Sequence, residues 1–256
     1  MRELPGSTVI VTGASGGIGR ACVEAFAAAG CRVVMADIDE SAKIIEEKFG
    51  GTRCQFVHTD LADEASIRRL IAATIDSYGS IDVLVNNAAR LVPVMPLHET
   101  NLEEFESVIA VNVRGLFLIC KYAYPYLKQS RGCVINISSM AGVTGEKHHC
   151  IYSASKGFMN ALTKSMAIDY GREGIRCNAI APSSVLTPNV DQMIAAQPNA
   201  DEIIQMRKNI NLLGYTSQPH EIAAVAVFLA SPGASFITGA VMPVSGGSEC
   251  GYGIKL

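Results

Sequence analysis

The sequence predicts an α/β fold of the doubly wound class, in which a seven-stranded parallel sheet is covered by helices on both faces. Short runs rich in β-branched residues alternate with longer segments whose apolar residues recur at helical spacing. Several helical segments end at a glycine, as at Gly30, Gly79 and Gly171. No repeat or Pro/Ser-rich linker divides the chain, so residues 1–256 are expected to form a single domain.

In chain order, short β-branched runs are expected to form the buried strands. They are Thr8–Val11, Arg32–Ala36, Gln55–Thr59, Val83–Asn86, Val134–Ser138, Arg176–Ala181 and Val241–Val244. Helices are expected to connect most of these strands, at Ile18–Ala29, Glu40–Phe49, Ala65–Tyr78, Leu102–Lys128, Ser153–Tyr170 and Ile222–Ala230. This order is typical of βαβ units, which build parallel sheets.

One irregular segment, residues 182–214, interrupts the alternation. It combines prolines with apolar residues, namely Pro182, Pro188 and Pro198 with Met193, Ile194, Ile203, Ile204 and Met206. A long connection of this composition predicts a small helical flap over a substrate pocket.

Composition and charge exclude several classes of partner. The formal net charge is −3 and no run of Lys or Arg is present, so binding to nucleic acid is not expected. The longest uninterrupted apolar stretch, Ile222–Ala230, is far shorter than the ~20 residues that cross a bilayer, so no membrane association is expected. The first strand follows Met1 too closely for a signal peptide, which together with scattered cysteines predicts a cytoplasmic protein.

A glycine-rich turn, Thr12-Gly13-Ala14-Ser15-Gly16-Gly17-Ile18-Gly19, lies between the first strand and the first helix. Because glycine has no side chain, the backbone N–H groups of such a turn can approach a pyrophosphate at a helix N-terminus. The glycine spacing differs from G-x-G-x-x-G, and no Gly-Lys-Ser/Thr follows, which excludes a Walker-type site. Taken alone, the turn is a weak signal, and the alternative is a tight strand-to-helix connection with no ligand.

Asp37 ends the second strand, where a carboxylate can accept hydrogen bonds from both ribose hydroxyls of NAD. The same charge would repel the 2′-phosphate of NADP. The glycine turn contains no Lys or Arg, and Ile38 rather than a basic residue follows Asp37, so NAD is the expected cofactor. The alternative is a solvated acid at a strand end.

Tyr152 and Lys156 are four residues apart at the start of a helix, on one face. A nearby ammonium and the positive charge of an oxidised nicotinamide would jointly lower the phenol pKa from about 10 toward neutrality, making Tyr152 a general base. Ser139, at the carboxyl end of a strand, can hold a substrate oxygen. Taken one by one, a helical Tyr or Lys is usually a surface residue, and a Ser at a strand end usually forms a turn.

Together these motifs resemble the short-chain dehydrogenase/reductase family, in its NAD-preferring subgroup of about 250 residues. The family's features appear in order from end to end of the chain. They are Thr12-Gly13-x-x-x-Gly17-x-Gly19, Asp60-Leu61, Asn86-Asn87-Ala88-Ala89, Asn112, Ser139, Tyr152-x-x-x-Lys156 and the segment Pro182 to Thr187. The resemblance implies a Rossmann-type fold. Ala89 and Ser183 stand where the family usually has glycine.

The resemblance also implies a catalytic tetrad of Asn112, Ser139, Tyr152 and Lys156. Tyr152 would exchange the proton, Lys156 would also bind the nicotinamide ribose, and Asn112 would hold a water that relays protons to solvent. The implied cofactor-binding residues are Gly13, Ser15, Gly17, Ile18, Gly19, Asp37, Ile38, Asp60, Leu61, Asn87, Ala88, Ala89, Tyr152, Lys156, Pro182, Val185 and Thr187.

The implied activity is NAD-dependent interconversion of a secondary alcohol and a ketone. The expected pocket residues are mostly apolar, namely Val92, Met140, Val143, Glu146, His148, His149 and Val185, which favours a bulky or apolar substrate of hydroxysteroid-like or hydroxyacyl-like kind. Adjacent histidines rarely share one metal, so no metal site is expected.

Two alternatives stay open. One is a 3-oxoacyl reductase of fatty-acid type, which normally uses NADPH. The other is a non-catalytic protein that uses the dinucleotide fold as a sensor or scaffold. The two long helices, Leu102–Lys128 and Ser153–Tyr170, resemble those that pair across subunits in this family, so a homotetramer or homodimer is expected.

Overall fold

The computed structural model describes residues 3–188, 194, 195, 197 and 199–250. Its seven strands form one parallel sheet in the order β3-β2-β1-β4-β5-β6-β7. The strands are β1 (Thr8–Thr12), β2 (Arg32–Asp37), β3 (Cys54–His58), β4 (Val83–Asn86), β5 (Cys133–Ile137), β6 (Arg176–Pro182) and β7 (Val241–Val244). The predicted doubly wound parallel sheet is confirmed, with strand ends shifted by one residue at most.

Helices pack on both faces of this sheet. They are α1 (Gly17–Ala28), α2 (Lys43–Phe49), α3 (Glu64–Tyr78), α4 (Leu102–Val108), α5 (Leu116–Ser130), α6 (Ala141–Thr144), α7 (Cys150–Tyr170), α8 (Ala200–Asn209) and α9 (Pro219–Ala230). Caps set several boundaries: the Asp63 carboxylate accepts hydrogen bonds from two backbone N–H groups of the first turn of α3, and Pro219 starts α9 behind a capping box.

The predicted helix over Leu102–Lys128 is not regular. A π-helical turn, Ile109–Gly115, separates α4 from α5, and it contains Asn112. Local sequence periodicity does not reveal such a turn, which inserts a residue into the helical repeat and is frequent at functional sites.

The combined stretch Leu102–Ser130 is long and apolar enough to cross a membrane by length and composition alone. Leu116, Ile119, Ala123 and Leu127 on its inner face are buried in the core. Packing against the sheet therefore accounts for its apolar composition.

Each face of the sheet has its own hydrophobic cluster. On one face, Val23 and Phe26 of α1 and Leu229 of α9 pack against alternate side chains of the central strands. On the other, Leu70 of α3 and Met159 of α7 do the same. Each fully buried side chain of this size contributes about 1.5–3 kcal/mol, so both faces stabilise the sheet.

Chain order reverses between β1 and β4, and the carboxyl ends of these strands open a crevice there. In open α/β sheets ligands bind at this switch point. The glycine turn follows β1, Asn87 follows β4 and Ser139 lies just beyond β5, so the fold brings all three to the same edge.

Only part of the predicted flap, residues 182–214, is described. Residues 189–193, 196 and 198, which include Met193 and Pro198, lie outside the described residues. At its base, the Ser183 hydroxyl lies 2.7 Å from Asn211 Oδ1 and 3.0 Å from the Ser245 carbonyl oxygen. Ser183, one of the two departures from the family pattern, thus connects both ends of the segment.

Candidate active site

The glycine turn between β1 and α1 leaves room that side chains would fill. Gly13 and Gly17 have φ angles of +64° and +48°, which favour glycine. A Cβ on Gly13 would lie 2.8 Å from Ala88 Cα, and one on Gly19 would lie 1.9 Å from the Gly13 carbonyl oxygen. The first turn of α1 has neither a side-chain cap nor an acidic residue. Its N–H groups therefore suit an anionic phosphate, and the turn fits a dinucleotide.

Asn87, just beyond β4, holds this turn in place. Its amide nitrogen donates to the carbonyl oxygens of Thr12 (3.0 Å) and Gly13 (2.9 Å). In return, Thr12 Oγ1 accepts hydrogen bonds from the backbone N–H groups of Asn87 and Ala88, both at 3.0 Å. The Asn87 amide thus fastens the turn to β4, a role that the sequence did not indicate, and its contact with a ribose stays a prediction.

Asp37, at the end of β2, contacts the glycine turn directly. One carboxylate oxygen accepts from the backbone N–H (2.9 Å) and the hydroxyl (2.7 Å) of Ser15, and the other accepts from the Asp39 N–H at 3.0 Å. The half-buried carboxylate is therefore not merely a solvated strand end. Ile38 beside it is 64% exposed.

Asp60 and Leu61 follow β3 on the same edge of the sheet. The exposed Asp60 carboxylate accepts from the Ala62 N–H at 2.8 Å, while Leu61 is buried. Thr187 lies against the glycine turn, because a Cβ on Gly17 would be 2.7 Å from Thr187 Cγ2. The structure thus brings together the predicted cofactor-binding residues from β1, β2, β3 and the start of the flap.

Ser139, Tyr152 and Lys156 line one cleft of about 580 Å³. The Ser139 hydroxyl lies near enough to the Tyr152 phenol to lower the pKa of that phenol. Lys156 Nζ lies 5.6 Å from the centroid of the Tyr152 ring, as expected for neighbours one helical turn apart on α7. Ile18, Asn87, Ala89 and Thr187 line the same cleft, which joins the reacting groups to the glycine turn.

Burial controls the ionisation of these groups. It lowers the pKa of Lys156 to about 8, and its ammonium donates to the Ile137 carbonyl oxygen at 2.6 Å. Burial raises the pKa of Tyr152 to about 12; the hydrogen bond from Ser139 opposes this shift, and the charge of Glu146 adds to it. Lys156 alone therefore does not make the phenol acidic.

Asn112 connects three parts of the site from the π-helical turn. Its side-chain oxygen accepts from the Arg90 N–H at 2.7 Å, and its nitrogen donates to the Arg90 carbonyl oxygen and to Ser155 Oγ, both at 3.1 Å. Asn112 thus fixes the loop after β4 against α7, next to Lys156. The predicted water relay stays a prediction, and no sequence motif indicated the contacts with Arg90 or Ser155.

A polar corner lies beside Tyr152. Glu146 Oε2 and His149 Nδ1 are 3.1 Å apart, and the His149 ring centroid is 4.9 Å from that of Tyr152. The hydrogen bond from His149 lowers the pKa of Glu146, and the charge of Arg207 on α8 lowers it further. Arg207 also donates to the Val185 carbonyl oxygen at 3.2 Å, which connects two parts of the flap, and both residues line the cleft.

The remaining lining differs in part from the expectation. Met140, Glu146 and Val185 line the cleft as expected, whereas the described lining does not include Val92, Val143, His148 or His149. His148 instead adopts φ +61°, and its carbonyl oxygen accepts from the Met95 N–H at 2.8 Å. Residues that the sequence did not single out complete the lining: Leu91, Thr144, Ser184, Ile210 and Ser248.

Comparisons with known proteins agree with this geometry. A family model described as "Enoyl-(Acyl carrier protein) reductase" matches residues 13–249. The L-fucose dehydrogenase of Oryctolagus cuniculus is 39% identical over 249 residues, which are 97% of this chain and 87% of that protein.

Solved structures agree as well. The ligand-free aldohexose dehydrogenase of Thermoplasma acidophilum superposes with a TM-score of 0.89 at 32% identity, covering 99% of this chain and 98% of that one. The 3-ketoacyl-(acyl-carrier-protein) reductase of Brucella melitensis, solved with NADH, has a TM-score of 0.86 at 29% identity, covering 97% and 100%. The chain therefore belongs to the short-chain dehydrogenase/reductase family and is an oxidoreductase that acts on CH–OH groups.

Proposed function

We propose that the protein is an NAD-dependent dehydrogenase that oxidises a secondary hydroxyl, with Tyr152 as the base. The observation that carries this proposal is the convergence of Ser139, Tyr152 and Lys156 in one cleft that continues to the glycine turn. A non-catalytic sensor or scaffold would not need a phenol, a hydroxyl and an ammonium at one point of the cleft.

Each side chain has a defined task in this reaction. Ser139 donates a hydrogen bond to the substrate oxygen and holds it beside the phenol. Tyr152, once ionised, takes the proton of the hydroxyl group. Lys156 places a positive charge near the phenolate, which favours that form. The nicotinamide, when bound, accepts the hydride from the carbinol carbon, so one alcohol yields one carbonyl group, one reduced cofactor and one proton.

The preference for NAD over NADP rests on Asp37. Its carboxylate lies against Ser15 of the glycine turn, at the end of β2 where the adenosine ribose is expected. A negative charge at this point favours ribose hydroxyls and disfavours a phosphate. Ile38 supplies no cation to offset it.

For the substrate, we propose a cyclic alcohol that carries further hydroxyl groups. Glu146 and Arg207 give the cleft charged lining residues, with His149 hydrogen-bonded to Glu146, and apolar side chains such as Leu91 and Met206 line the same cleft. A sugar-like ring would complement this lining, because its hydroxyl groups can bond the charged residues and its C–H face can pack on the apolar ones. Two of the similar proteins are named for sugars, L-fucose and aldohexoses.

A second candidate is the bulky or apolar alcohol expected from the sequence. Met140, Ile203, Met206 and Ile210 give the cleft an extended apolar wall, which suits a hydroxysteroid-like or hydroxyacyl-like compound. The similar protein named as a 3-ketoacyl reductase supports this candidate. The absence of a basic residue after Asp37 argues against an NADPH-dependent reductase.

A substrate panel tests these proposals. L-fucose, D-glucose, cyclohexanol, a hydroxysteroid and a 3-hydroxyacyl thioester would each be offered with NAD and with NADP, and the reduced cofactor would be followed by its absorbance. We expect turnover of the sugars with NAD. Turnover of the steroid or thioester alone would favour the second candidate, and no turnover of any alcohol would contradict the dehydrogenase assignment.

The Tyr152→Phe variant is the matched control for that panel. It removes one hydroxyl and keeps the ring that packs beside His149, so NADH binding should persist while kcat falls by at least about 1,000-fold. An active Tyr152→Phe protein would remove the proton-transfer role from this residue.

A further inference from the structure

A buried amide on α7, that of Asn160, contacts both ends of the short segment that carries Ser139. Asn160 Oδ1 accepts a hydrogen bond from Ser138 Oγ at 2.6 Å, and its Nδ2 donates to the Gly142 carbonyl oxygen at 2.9 Å. Ser138 and Asn160 are 4% and 9% exposed. A single side chain thus connects α7 to the residues on either side of Ser139, Met140 and Ala141.

The orientation of this amide follows from its partners. The Gly142 carbonyl oxygen can only accept, so the NH₂ group of Asn160 must face it. The amide oxygen then faces Ser138, whose hydroxyl donates. The contact with Ser138 is buried and the contact with Gly142 is partly buried. Leaving a buried polar group without its partner destabilises the fold by about 1–3 kcal/mol.

Close packing reinforces the same contact. A Cβ on Gly142 would lie 2.6 Å from the carbonyl carbon of Lys156 and 2.7 Å from its Cβ. The segment therefore rests directly on the backbone of α7 at Lys156. Any shift of this segment relative to α7 would therefore move Ser139 relative to Tyr152 and Lys156.

We propose that Asn160 is a positioning residue, which holds the segment 138–142 on α7 so that the Ser139 hydroxyl meets the Tyr152 phenol. Tyr152, Lys156 and Asn160 follow each other at four-residue spacing, so one helix face carries both the reacting groups and their alignment. Asparagine has a low helix propensity, so its presence in the interior of α7 needs an explanation. The two hydrogen bonds to the segment provide one. The inference rests on the proposed dehydrogenase function.

Hydrogen exchange tests the clamp without any substrate. We compare the full-length wild-type protein with Asn160→Ala and with the control Thr163→Val. Thr163, three residues further along α7, accepts a hydrogen bond from Asn136 of β5 at 2.8 Å and donates to the Met159 carbonyl oxygen at 2.7 Å, so its hydrogen bonds do not go to the segment. We expect amides of residues 139–143 to exchange at least about 10-fold faster in Asn160→Ala only. Equal exchange in wild type and Asn160→Ala would overturn the proposal.

Kinetics then test the consequence for the reaction, with whichever alcohol the panel identifies. Misplacement of a reacting group by about 1 Å lowers rates by about 100-fold, so we expect kcat of Asn160→Ala to fall by about 10–100-fold. The KM for the alcohol and the Kd for NADH should change by less than about threefold. Thr163→Val should keep the wild-type kcat even if its melting temperature falls. Equal losses of kcat in both variants would mean that Asn160 supports only the fold and does not position Ser139.

Ser138→Ala provides a second route if Asn160→Ala does not fold. It removes one end of the clamp, so amides of residues 139–143 should exchange faster than in wild type and kcat should fall, and wild-type exchange would overturn the proposal. Where Asn160→Ala folds, the double variant should be no slower than Asn160→Ala alone. Independent, additive losses would contradict a shared clamp. A wild-type protein that oxidises no alcohol would refute the proposed function, whereas the exchange measurement would still decide the clamp.

Discussion

At the scale of single residues, the proposed base, Tyr152, is protonated at neutral pH in the free protein. Burial raises the pKa of Tyr152 to about 12, and the Lys156 ammonium is held by the Ile137 carbonyl. Each pKa unit corresponds to about 1.4 kcal/mol, so a phenol that titrates near pH 7 needs about 7 kcal/mol of additional stabilisation of the phenolate. Lys156 and the positive charge of an oxidised nicotinamide are the two sources available at this point.

The pH dependence follows from that balance. Only the phenolate accepts a proton, and the phenolate fraction grows as pH rises toward the pKa of Tyr152. With saturating NAD, log(kcat/KM) for alcohol oxidation should therefore rise with unit slope and level off at the pKa in the complex, which we expect well below 12. Steady-state rates between pH 6 and 10 measure this, and a flat profile would be incompatible with a titrating base.

Glu146→Gln is the control for that profile. The negative charge of Glu146 raises the pKa of Tyr152, so its removal should move the rising limb to lower pH. Glutamine keeps a polar group beside His149, which separates the effect of charge from the loss of a contact.

Asp37 determines the choice of cofactor in our proposal, and Asp37→Ala combined with Ile38→Arg should reverse it. The variant removes the negative charge and supplies a guanidinium that can pair with a 2′-phosphate. A charge-assisted hydrogen bond contributes about 1.5–3 kcal/mol, so the ratio of kcat/KM for NADP to that for NAD should rise by about 10–100-fold. An unchanged ratio would mean that Asp37 does not meet the ribose.

Asp37→Asn separates this charge effect from the local structure. The Asp37 carboxylate also holds Ser15, so its loss loosens the glycine turn. Asparagine keeps an acceptor for the Ser15 N–H without the charge. We expect it to relax the preference for NAD while NADH binding persists.

At the scale of elements, two departures from regular geometry shape the site. The glycine turn lets the start of α1 approach the ends of β1 and β4, and the π-helical turn directs Asn112 toward Arg90 and Ser155. An added side chain at Gly19 would meet the Gly13 carbonyl oxygen, and π-helical turns are frequent at functional sites.

Gly19→Ala tests the tightest of these contacts. An added Cβ would lie 1.9 Å from the Gly13 carbonyl oxygen, a backbone atom that cannot move without displacing the turn. Strain of about 2–3 kcal/mol should lower the melting temperature by roughly 5–10 °C and weaken NADH binding by at least about 10-fold. Thermal unfolding and a fluorescence titration with NADH measure the two effects.

Gly16→Ala is the matched control in the same turn. Its Cβ would meet no protein atom within 4 Å, and its φ of −122° is open to any residue. Its melting temperature should stay within about 2 °C of wild type. A similar loss in both variants would show that glycine content, not the contact at Gly19, determines the stability of the turn.

At the scale of the whole molecule, two long helices present apolar side chains to solvent. Phe117 on α5 is 48% exposed and Ile168 on α7 is 80% exposed. Such residues are typical of surfaces that a partner covers. We therefore propose that copies of this chain associate through these helices into a homodimer or homotetramer.

Light scattering coupled to size exclusion tests this assembly. The wild-type protein should elute at two or four times the 27.2 kDa of one chain, and Phe117→Glu with Ile168→Glu should lower that mass. Ile38→Glu, on the exposed end of the second strand, is a control that should leave the mass unchanged. A monomeric wild-type protein would contradict the expected assembly.

Much of the site could be predicted because it is local in sequence. Tyr152 and Lys156 share a helix face by spacing alone, and the glycine turn is defined by consecutive residues. Asn160 continues the same four-residue spacing, so that signal was present in the sequence. Arg207 and Ser155 gave no comparable signal, because their contacts come from segments distant in the chain.

By itself, the sequence determined the alternation of strands and helices and the doubly wound class, since both depend on short-range periodicity, and its family motifs implied the reacting groups. The tertiary structure alone decided that Asn112 is hydrogen-bonded to Arg90, and that burial raises the pKa of the Tyr152 phenol above its ordinary value. The physical reason is that a pKa and a hydrogen-bond partner depend on burial and on neighbours from other strands and helices, which only packing brings together.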